Sequence, residues 1–259
     1  MKPLTLKSAI QTNNSTPNDV IDLRNADSMA EMQTIAPSSV NLMLTDPPYN
    51  LGEFMKQRET NLGQMRDNFF VSAGWDNGSD IIWVDLMESL FRQSSRIMAP
   101  GGSAIVFMSI LKVEAIVTIA KKYGFYYKTT GIWHKRNPMP RNMNLHYINS
   151  TECWIYFVYK KRTGTFNNNG RAVHDFIETS VTPASERKWG KHPTQKPVAL
   201  MKHFIDHLTD PGEHVLDPFM GSGSTGVAAA TSERKFTGIE IENTYFTIAE
   251  SRINEAADG

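Results

Sequence analysis

The sequence predicts an α/β fold with a largely parallel sheet, and three observations support this prediction. Short apolar runs that suit buried strands alternate along the chain with longer runs of helical periodicity. Hydrophobic residues make up 40% of the 259 residues, which is enough for a sizeable core. The turn Pro100-Gly101-Gly102 separates a predicted helix from the next predicted strand, as is common in αβ loops. This length permits one large α/β domain or two small ones.

The apolar runs and the helical periodicity define the individual elements. Strands are predicted at 20–23, 40–44, 103–108, 125–133, 152–159, 214–216 and 235–241. Helices are predicted at 28–35, 80–98, 111–123, 197–208, 224–232 and 244–256. Two stretches show neither pattern: residues 50–79 are expected to form a long loop, and residues 161–191 an irregular basic insertion.

Cysteine content and hydropathy restrict the class of protein. The single cysteine, Cys153, has no partner for an internal disulfide, and it lies in an apolar run that suits an inert buried thiol better than a nucleophile. No apolar stretch reaches the length of a membrane span, and the N-terminus lacks the apolar core of a signal peptide. We therefore expect a soluble cytoplasmic protein with no membrane partner and no metal site.

The net charge of zero hides a separation of charge along the chain. Residues 121–200 carry 14 Lys and Arg against four Asp and Glu, whereas the remainder carries 13 against 23. A basic third on an otherwise acidic chain indicates a surface that faces a polyanion. A solvated charged face is the alternative interpretation.

The most informative motif is Asp46-Pro47-Pro48-Tyr49, directly after the strand predicted at 40–44. Each proline fixes its φ angle and lacks a backbone donor, so the carbonyls of Asp46 and Pro47 form a stiff array of acceptors. Acceptors beside an aromatic face suit an amino group on a planar ring, which would donate to Asp46 and a carbonyl while Tyr49 stacks on the ring. A strand that ends in a plain proline-rich turn is the alternative.

A second candidate site begins at Asp217, where a strand is followed by the glycine-rich turn 218–223 and then a helix. Glycines allow a ligand to approach the backbone, and a helix N-terminus offers free N–H groups. Glu240 ends the next strand, where the hydroxyl pair of a ribose would lie. A dinucleotide-binding fold is the first alternative, but the glycine spacing differs from its fingerprint and Asp217 would repel a pyrophosphate. A carboxylate at this position suits a cationic ammonium, such as that of S-adenosylmethionine.

Together these motifs resemble those of the DNA amino-methyltransferases. The catalytic motif of that family, (D/N/S)PP(Y/F), is matched at 46–49, and its cofactor motif at 217–225. A third family block, His-Pro-Thr-Gln-Lys-Pro, is present at 192–197. The resemblance spans nearly the whole chain, and three motifs in this order are highly specific. The catalytic motif precedes the cofactor motif with the basic segment between them, which resembles the β group and especially its DPPY adenine type.

This resemblance implies a circularly permuted class I S-adenosylmethionine-dependent methyltransferase fold. The implied sheet is seven-stranded and mostly parallel, with helices on both faces and a reversed hairpin at one edge. The chain would enter at the third strand of the unpermuted fold and build the first two strands last. A single domain over 1–259 would include a small basic target-recognition insertion within 134–191.

The resemblance also implies roles for individual residues. In the catalytic motif, Asp46 would be the principal acceptor and the Pro47 carbonyl the second, while Pro48 stiffens the corner and Tyr49 stacks on the base. Asp27 would meet the adenine of the cofactor, Glu240 its ribose, and Thr194 and Lys196 the methionine carboxylate. The implied cofactor-binding residues are Asp27, Thr194, Lys196, Asp217, Pro218, Phe219, Gly221, Gly223, Thr225 and Glu240. The implied DNA-binding residues are Lys135, Arg136, Asn137 and Arg141.

The implied reaction is direct transfer of a methyl group from S-adenosylmethionine to the amino nitrogen of a flipped adenine in DNA. Asp at the first motif position favours adenine, because cytosine amino-methylases of the family more often carry Ser there; N4-methylation of cytosine is the leading alternative. An RNA or protein methylase and a DNA-binding protein without catalysis are the others. Double- or single-stranded DNA is the expected partner. The resemblance to the β group also implies two candidate protein partners, a second copy of the chain and a cognate restriction endonuclease.

Overall fold

A computed structural model describes residues 21–49, 80–139, 144 and 147–258. The loop expected at 50–79 lies outside these residues. In the described part of the chain, eight strands form one sheet. They are β1 (Ile21–Asn25), β2 (Val40–Thr45), β3 (Met98–Met108), β4 (Phe125–Lys135), β5 (Thr151–Tyr159), β6 (Phe176–Thr179), β7 (His214–Asp217) and β8 (Lys235–Glu240).

The helices fall where the periodicity predicts them, with small differences at their ends. They are α1 (Ser28–Glu31), α2 (Asp80–Ile97), α3 (Val113–Lys122), α4 (Val198–Leu208), α5 (Ser224–Ala230) and α6 (Asn243–Asp258). The helix predicted at 28–35 is shorter than expected, because α1 gives way to a 3₁₀ turn at Met32–Thr34. A similar turn at Ile110–Lys112 precedes α3, and a third lies at Ala184–Arg187 in the basic insertion.

The strand order is β1-β8-β7-β2-β3-β5-β4-β6. The pairs from β1 to β3 are parallel, and β5 runs antiparallel to both of its neighbours. The last strands of the chain, β7 and β8, lie between β1 and β2. The order therefore confirms the mostly parallel, permuted sheet.

The predicted number of strands is one too low. Strand β6, in the segment expected to be irregular, pairs in parallel with β4 and forms the edge of the sheet. The reversed pair of β4 and β5 consequently lies inside the edge rather than at it. Only Ile177 of the four residues of β6 is buried, so the segment has no apolar run that would predict a strand.

The core has two layers, one on each face of the sheet. Along β2, Met43 belongs to the apolar cluster under α2 and α3, whereas Leu42 and Leu44 belong to the cluster under α4, α5 and α6. Both faces of β2 are thus buried, which explains its continuous apolar sequence. The helices on both faces of the sheet are confirmed.

The parallel strands bring the predicted site residues to one edge. Asp46 follows β2, Asp217 ends β7 and Glu240 ends β8, so all three lie at carboxyl ends of neighbouring strands, the usual ligand position in open α/β sheets. Because β5 runs the other way, its first residues lie at this edge as well. Among the described residues, no helix is long and apolar enough to cross a membrane.

Candidate active site

The catalytic motif at 46–49 forms a corner after β2, and hydrogen bonds fix this corner at both ends. The Tyr49 hydroxyl donates to Asp46 Oδ1 at 2.5 Å. The Trp83 indole N–H, on α2, donates to the Pro48 carbonyl at 3.0 Å. Trp83 holds the corner in place, although its sequence position alone gave no indication of this contact.

The second oxygen of Asp46 binds a lysine. Lys196 Nζ donates to Asp46 Oδ2, and it lies 3.1 Å from Glu152 Oε2. The other oxygen of Glu152 is 2.5 Å from Lys135 Nζ. Lys196 is only 6% exposed. The ammonium expected at the methionine carboxylate of a cofactor is therefore bound by two carboxylates of the protein itself.

Burial and charge act in opposite directions on these groups. Burial raises the pKa of Asp46, and the Lys196 ammonium opposes that rise. Burial alone would lower the pKa of Lys196, but the carboxylates of Asp46 and Glu152 raise it above its usual value. Burial would likewise raise the pKa of Glu152, yet Lys196 and Lys135 lower it. Lys196 is thus a fixed positive charge beside Asp46.

Asp217 ties the glycine-rich turn to the end of β7. Its Oδ1 accepts the Phe219 backbone N–H at 3.1 Å, and its Oδ2 accepts the Thr225 hydroxyl at 2.7 Å. Burial raises the pKa of this carboxyl to about 7, against the hydrogen bonds from Thr225 and Phe219. Each oxygen retains a further acceptor position, so a cation at this site would favour the ionised form.

The glycine-rich turn packs against the third motif. Gly221 and Gly223 have φ angles of +51° and +79°, a region that favours glycine. A Cβ on Gly221 would lie 3.2 Å from His192 Nε2, and one on Gly223 would lie 2.9 Å from the Ala249 Cβ. The His192 ring in turn packs edge to face against the Tyr245 ring, with 4.2 Å between the ring centroids. Burial lowers the pKa of His192 to about 4, so its ring is neutral at pH 7.

Two acidic side chains lie at the neighbouring strand ends. Glu240 Oε2 accepts the Gly221 backbone N–H at 2.9 Å and its Oε1 accepts that of Glu242 at 2.8 Å. Burial raises the pKa of Glu240. Asp27 is exposed and caps α1, where its Oδ1 accepts the Ala30 N–H at 2.9 Å. The structure thus brings both acids to the edge where Asp217 lies, each with local backbone partners.

The remaining predicted cofactor residues line the same region. The Pro218 carbonyl accepts a hydrogen bond from the Ser28 hydroxyl, and Phe219 packs against the core. Thr194 lies in the turn before α4, where its N–H donates to His192 Nδ1 at 3.4 Å.

Sequence reasoning missed a buried arginine in this region. The Arg252 guanidinium, on α6, donates to the Ser222 carbonyl and to the Ser224 hydroxyl. It also lies 3.6 Å from Glu186 in the basic insertion. Arg252 therefore joins the glycine-rich turn to the insertion, and its place on the buried side of α6 was the available signal.

The predicted DNA-binding residues differ in their surroundings. Arg136 is exposed, with its Nε 3.8 Å from Glu178, and Asn137 Oδ1 accepts the Val181 N–H at 2.9 Å. The ammonium of Lys135, which is expected to contact a phosphate, pairs with Glu152 inside the site. Arg141 lies outside the described residues.

The donor set fits S-adenosylmethionine. A buried carboxyl with spare acceptor positions at Asp217 suits an ammonium, and the acids at Glu240 and Asp27 suit hydroxyl and amino donors on the adjacent strand ends. Gly221 and Gly223, which have positive φ angles, carry no side chains that would cover the backbone of the turn.

Across the residues that the structure describes, no group of three or more His, Cys, Asp or Glu is arranged to hold a metal ion.

Comparison with known proteins identifies the family of this chain. Residues 40–251 match the family model described as DNA methylase. The Type II methyltransferase M2.LlaDCHI of Lactococcus lactis subsp. cremoris is 32% identical over 246 residues, which cover 91% of this chain and 90% of that protein. The Type II methyltransferase M2.DpnII of Streptococcus pneumoniae is 30% identical over 242 residues, which cover 89% of this chain and 88% of that protein.

Solved structures of DNA methyltransferases are also similar to this chain. The complex of M1.HpyAVI with S-adenosylmethionine is 30% identical, with a TM-score of 0.65 over 90% of this chain and 100% of that chain. The PvuII DNA methyltransferase, named as cytosine-N4-specific, has a TM-score of 0.68 over 93% of this chain and 94% of its own, but at 19% identity it shows the fold alone. With the family model spanning most of its length, the chain belongs to the DNA methylase family and is a β-group DNA amino-methyltransferase that uses S-adenosylmethionine.

Proposed function

We propose that the enzyme methylates the exocyclic amino nitrogen of adenine in DNA, one flipped base at a time. The observation that carries this proposal is the pairing of β2 with β7. Because the two strands are parallel neighbours, the acceptor corner at Asp46 and the cofactor turn after Asp217 meet at one edge of the sheet. A base held at the corner would face a methyl donor held at the turn.

The chemistry explains why acceptors are needed at the corner. The amino nitrogen of adenine is a poor nucleophile, since its lone pair is delocalised into the ring. The Asp46 carboxylate and the Pro47 carbonyl would each accept one N–H, which directs the lone pair out of the ring plane, while Tyr49 stacks on the base. When bound, S-adenosylmethionine would supply the methyl group and leave as the neutral thioether, and the methylated nitrogen would release one proton to water. Orientation and electrostatic stabilisation then account for catalysis without a covalent intermediate, and the base must first leave the helix.

Asp46 also supports adenine over cytosine, because Ser is more common at that position in cytosine amino-methylases of the family. N4-methylation of cytosine is the alternative that the same acceptor pair could serve. The fold does not separate the two, since the PvuII enzyme shares it.

We propose the following roles around the cofactor. Asp217 binds the ammonium, Glu240 the ribose and Asp27 the adenine, while Thr194 lies near the methionine carboxylate. We assign Lys196 to Asp46 instead, because two protein carboxylates already bind its ammonium. The residues that shape the floor of the site are Pro218, Phe219, Gly221, Gly223 and Thr225.

The partners follow from the same proposal. Arg136, Asn137 and Arg141 would contact DNA, and Lys135 would act inside the site as a partner of Glu152. The names of the relatives, Type II methyltransferases, support a cognate restriction endonuclease as partner. We further propose a cytoplasmic, single-domain enzyme whose insertion within 134–191 selects the target, and a homodimer as its working form.

Nucleoside analysis tests the proposed substrate. The protein is incubated with labelled S-adenosylmethionine and unmethylated plasmid DNA, heat-denatured plasmid or total RNA, and the digested nucleosides are separated by mass spectrometry. N6-methyladenine in DNA is the expected product. N4-methylcytosine would establish the alternative, and label in RNA alone would reject a DNA substrate. Bound cofactor without transfer to any of them would indicate a DNA-binding protein that lacks catalysis.

A further inference from the structure

A second carboxylate lies behind Asp46. Glu152 contacts Lys196 at 3.1 Å through Oε2 and Lys135 at 2.5 Å through Oε1, while Lys196 also contacts Asp46. Four side chains whose ionised forms alternate in sign thus follow one another as Lys135, Glu152, Lys196 and Asp46. We call these four residues the charge chain.

The sheet topology delivers Glu152 to this position. β5 is antiparallel to β3 and β4, so it begins at the edge where the parallel strands end. Glu152 pairs with Trp133 of β4, and Lys135, two residues further on, projects from the same face of the sheet as Trp133. The charge chain therefore joins four segments of the protein. Of the four, Lys196 is the most buried, and burying its charge costs free energy that an apolar side chain would not.

We propose that Glu152 is a positioning residue for methyl transfer: as the second carboxylate partner of the Lys196 ammonium, it fixes the position of that ammonium and offsets its charge beside the Asp46 carboxylate, which accepts the amino group of the base. This inference rests on the proposed role of Asp46. An ammonium has three donors, and those of Lys196 are shared by Asp46, Glu152 and, at 3.5 Å, the Thr194 carbonyl. Without Glu152, the ammonium would keep one carboxylate partner, Asp46, and its position and charge would no longer be balanced from the other side.

Glu152 also balances the charge that the reacting nitrogen meets. Positive charge develops on the amino nitrogen as the methyl group is transferred, and nearby positive charge opposes it in a site of low dielectric constant. With Glu152 neutral, Lys135 and Lys196 would face Asp46 alone and leave a net positive charge. Both effects of Glu152 act on the transition state of methyl transfer more than on cofactor binding. Loss of Glu152 should therefore lower kcat more than it weakens the Kd for S-adenosylmethionine.

The isosteric change Glu152→Gln tests this inference. Under single-turnover conditions with saturating S-adenosylmethionine and unmethylated plasmid DNA, we expect the rate to fall about 100-fold, the size of effect that a misplaced group produces. The Kd for S-adenosylmethionine should change less than about threefold. The acid limb of the pH–rate profile should move to lower pH, because Glu152 helps to raise the pKa of Asp46. A role confined to folding would not move that limb.

Matched variants complete the experiment. Glu88→Gln removes an ion pair with Lys122 from the surface and should leave rate and pH profile unchanged. If Glu152→Gln fails to fold, Glu152→Asp keeps the charge but shortens its reach, and we expect a rate about tenfold lower with unchanged cofactor affinity. A folded Glu152 variant with a rate within about threefold of wild type, or one whose loss of rate is explained by lost cofactor binding, would overturn the inference. Retained methylation in Asp46→Ala would instead reject the assigned role of Asp46, and only the absence of N6-methyladenine from DNA treated with the wild type would overturn the proposed function.

Discussion

The Lys196 ammonium contacts the Asp46 carboxylate across 150 residues of sequence. Lys196 lies just before α4 and Asp46 just after β2, so the contact joins the third motif to the catalytic one. Its consequence is electrostatic: a fixed positive charge favours the ionised form of Asp46, against the burial that raises its pKa.

Lys196→Met should therefore move the acid limb of the pH–rate profile upward. Without the ammonium, burial and the nearby Glu152 carboxylate both raise the pKa of Asp46, so a smaller fraction of Asp46 is ionised at pH 7 and activity recovers only at higher pH. Single-turnover rates between about pH 5.5 and 9 measure the shift. The surface variant Lys122→Met, which removes the ion pair with Glu88, is the control. An acid limb that stays in place or moves down would contradict the pairing.

Two substitutions of Tyr49 should distinguish the contribution of its hydroxyl to catalysis from the contribution of its ring to DNA binding. Tyr49→Phe loses the hydrogen bond to Asp46, worth about 1.5–3 kcal/mol for a charged partner, so kcat should fall while the KM for DNA changes little. Tyr49→Ala also loses stacking of about 1–3 kcal/mol, so the KM for DNA should rise as well. Tyr127→Phe, whose hydroxyl contacts Thr130 at the surface, is the control. Equal KM values for the Phe and Ala variants would argue against stacking.

Binding of S-adenosylmethionine should strengthen as the pH rises through 7. Burial raises the pKa of Asp217 to about 7 in the free protein, so below that pH the carboxyl is mostly neutral and must release its proton to pair with an ammonium. Affinity should rise by up to about tenfold per pH unit below pH 7 and level off above it. Isothermal titration calorimetry in two buffers measures both the affinity and the released proton. Asp217→Asn should bind weakly and without this slope; a wild-type affinity that is flat with pH would exclude the assigned role.

Gly223→Ala should destabilise the protein more than an equivalent change elsewhere. Gly223 has a φ angle of +79°, and a Cβ there would lie 2.9 Å from the Ala249 Cβ and from Ile253 Cδ1. Backbone strain and overpacking together should cost about 2–4 kcal/mol. Gly212→Ala is the matched control, because its φ angle is +81° and a Cβ would meet nothing within 4 Å. Urea denaturation compares the two, and equal losses of unfolding free energy would mean that the contact with α6 has no effect.

The motifs and most elements could be predicted because their signals are local. The apolar run of β2 and the glycine-rich turn after Asp217 each specify their own backbone, and parallel strands bring their ends together. β6 could not be predicted, since it is short and only Ile177 is buried. The sequence around Glu152 gave no indication of its place in the site, because only the antiparallel direction of β5 takes it there.

The ion pairs Lys196–Asp46 and Lys135–Glu152 also depend on tertiary structure and cannot be predicted from the local sequence. The motifs that contain Lys196 and Lys135 predict contacts with a cofactor carboxylate and with DNA phosphates. Their ammonium groups pair with protein carboxylates, and long side chains can reach partners that sequence spacing does not reveal.

Methylome sequencing of DNA treated with the wild-type protein or with Asp46→Ala tests the central claim most directly. We predict N6-methyladenine at a defined sequence with the wild type and no marks with the variant, while calorimetry shows S-adenosylmethionine bound by both with similar affinity. N6-methyladenine that persists with Asp46→Ala, or N4-methylcytosine as the wild-type mark, would contradict the account.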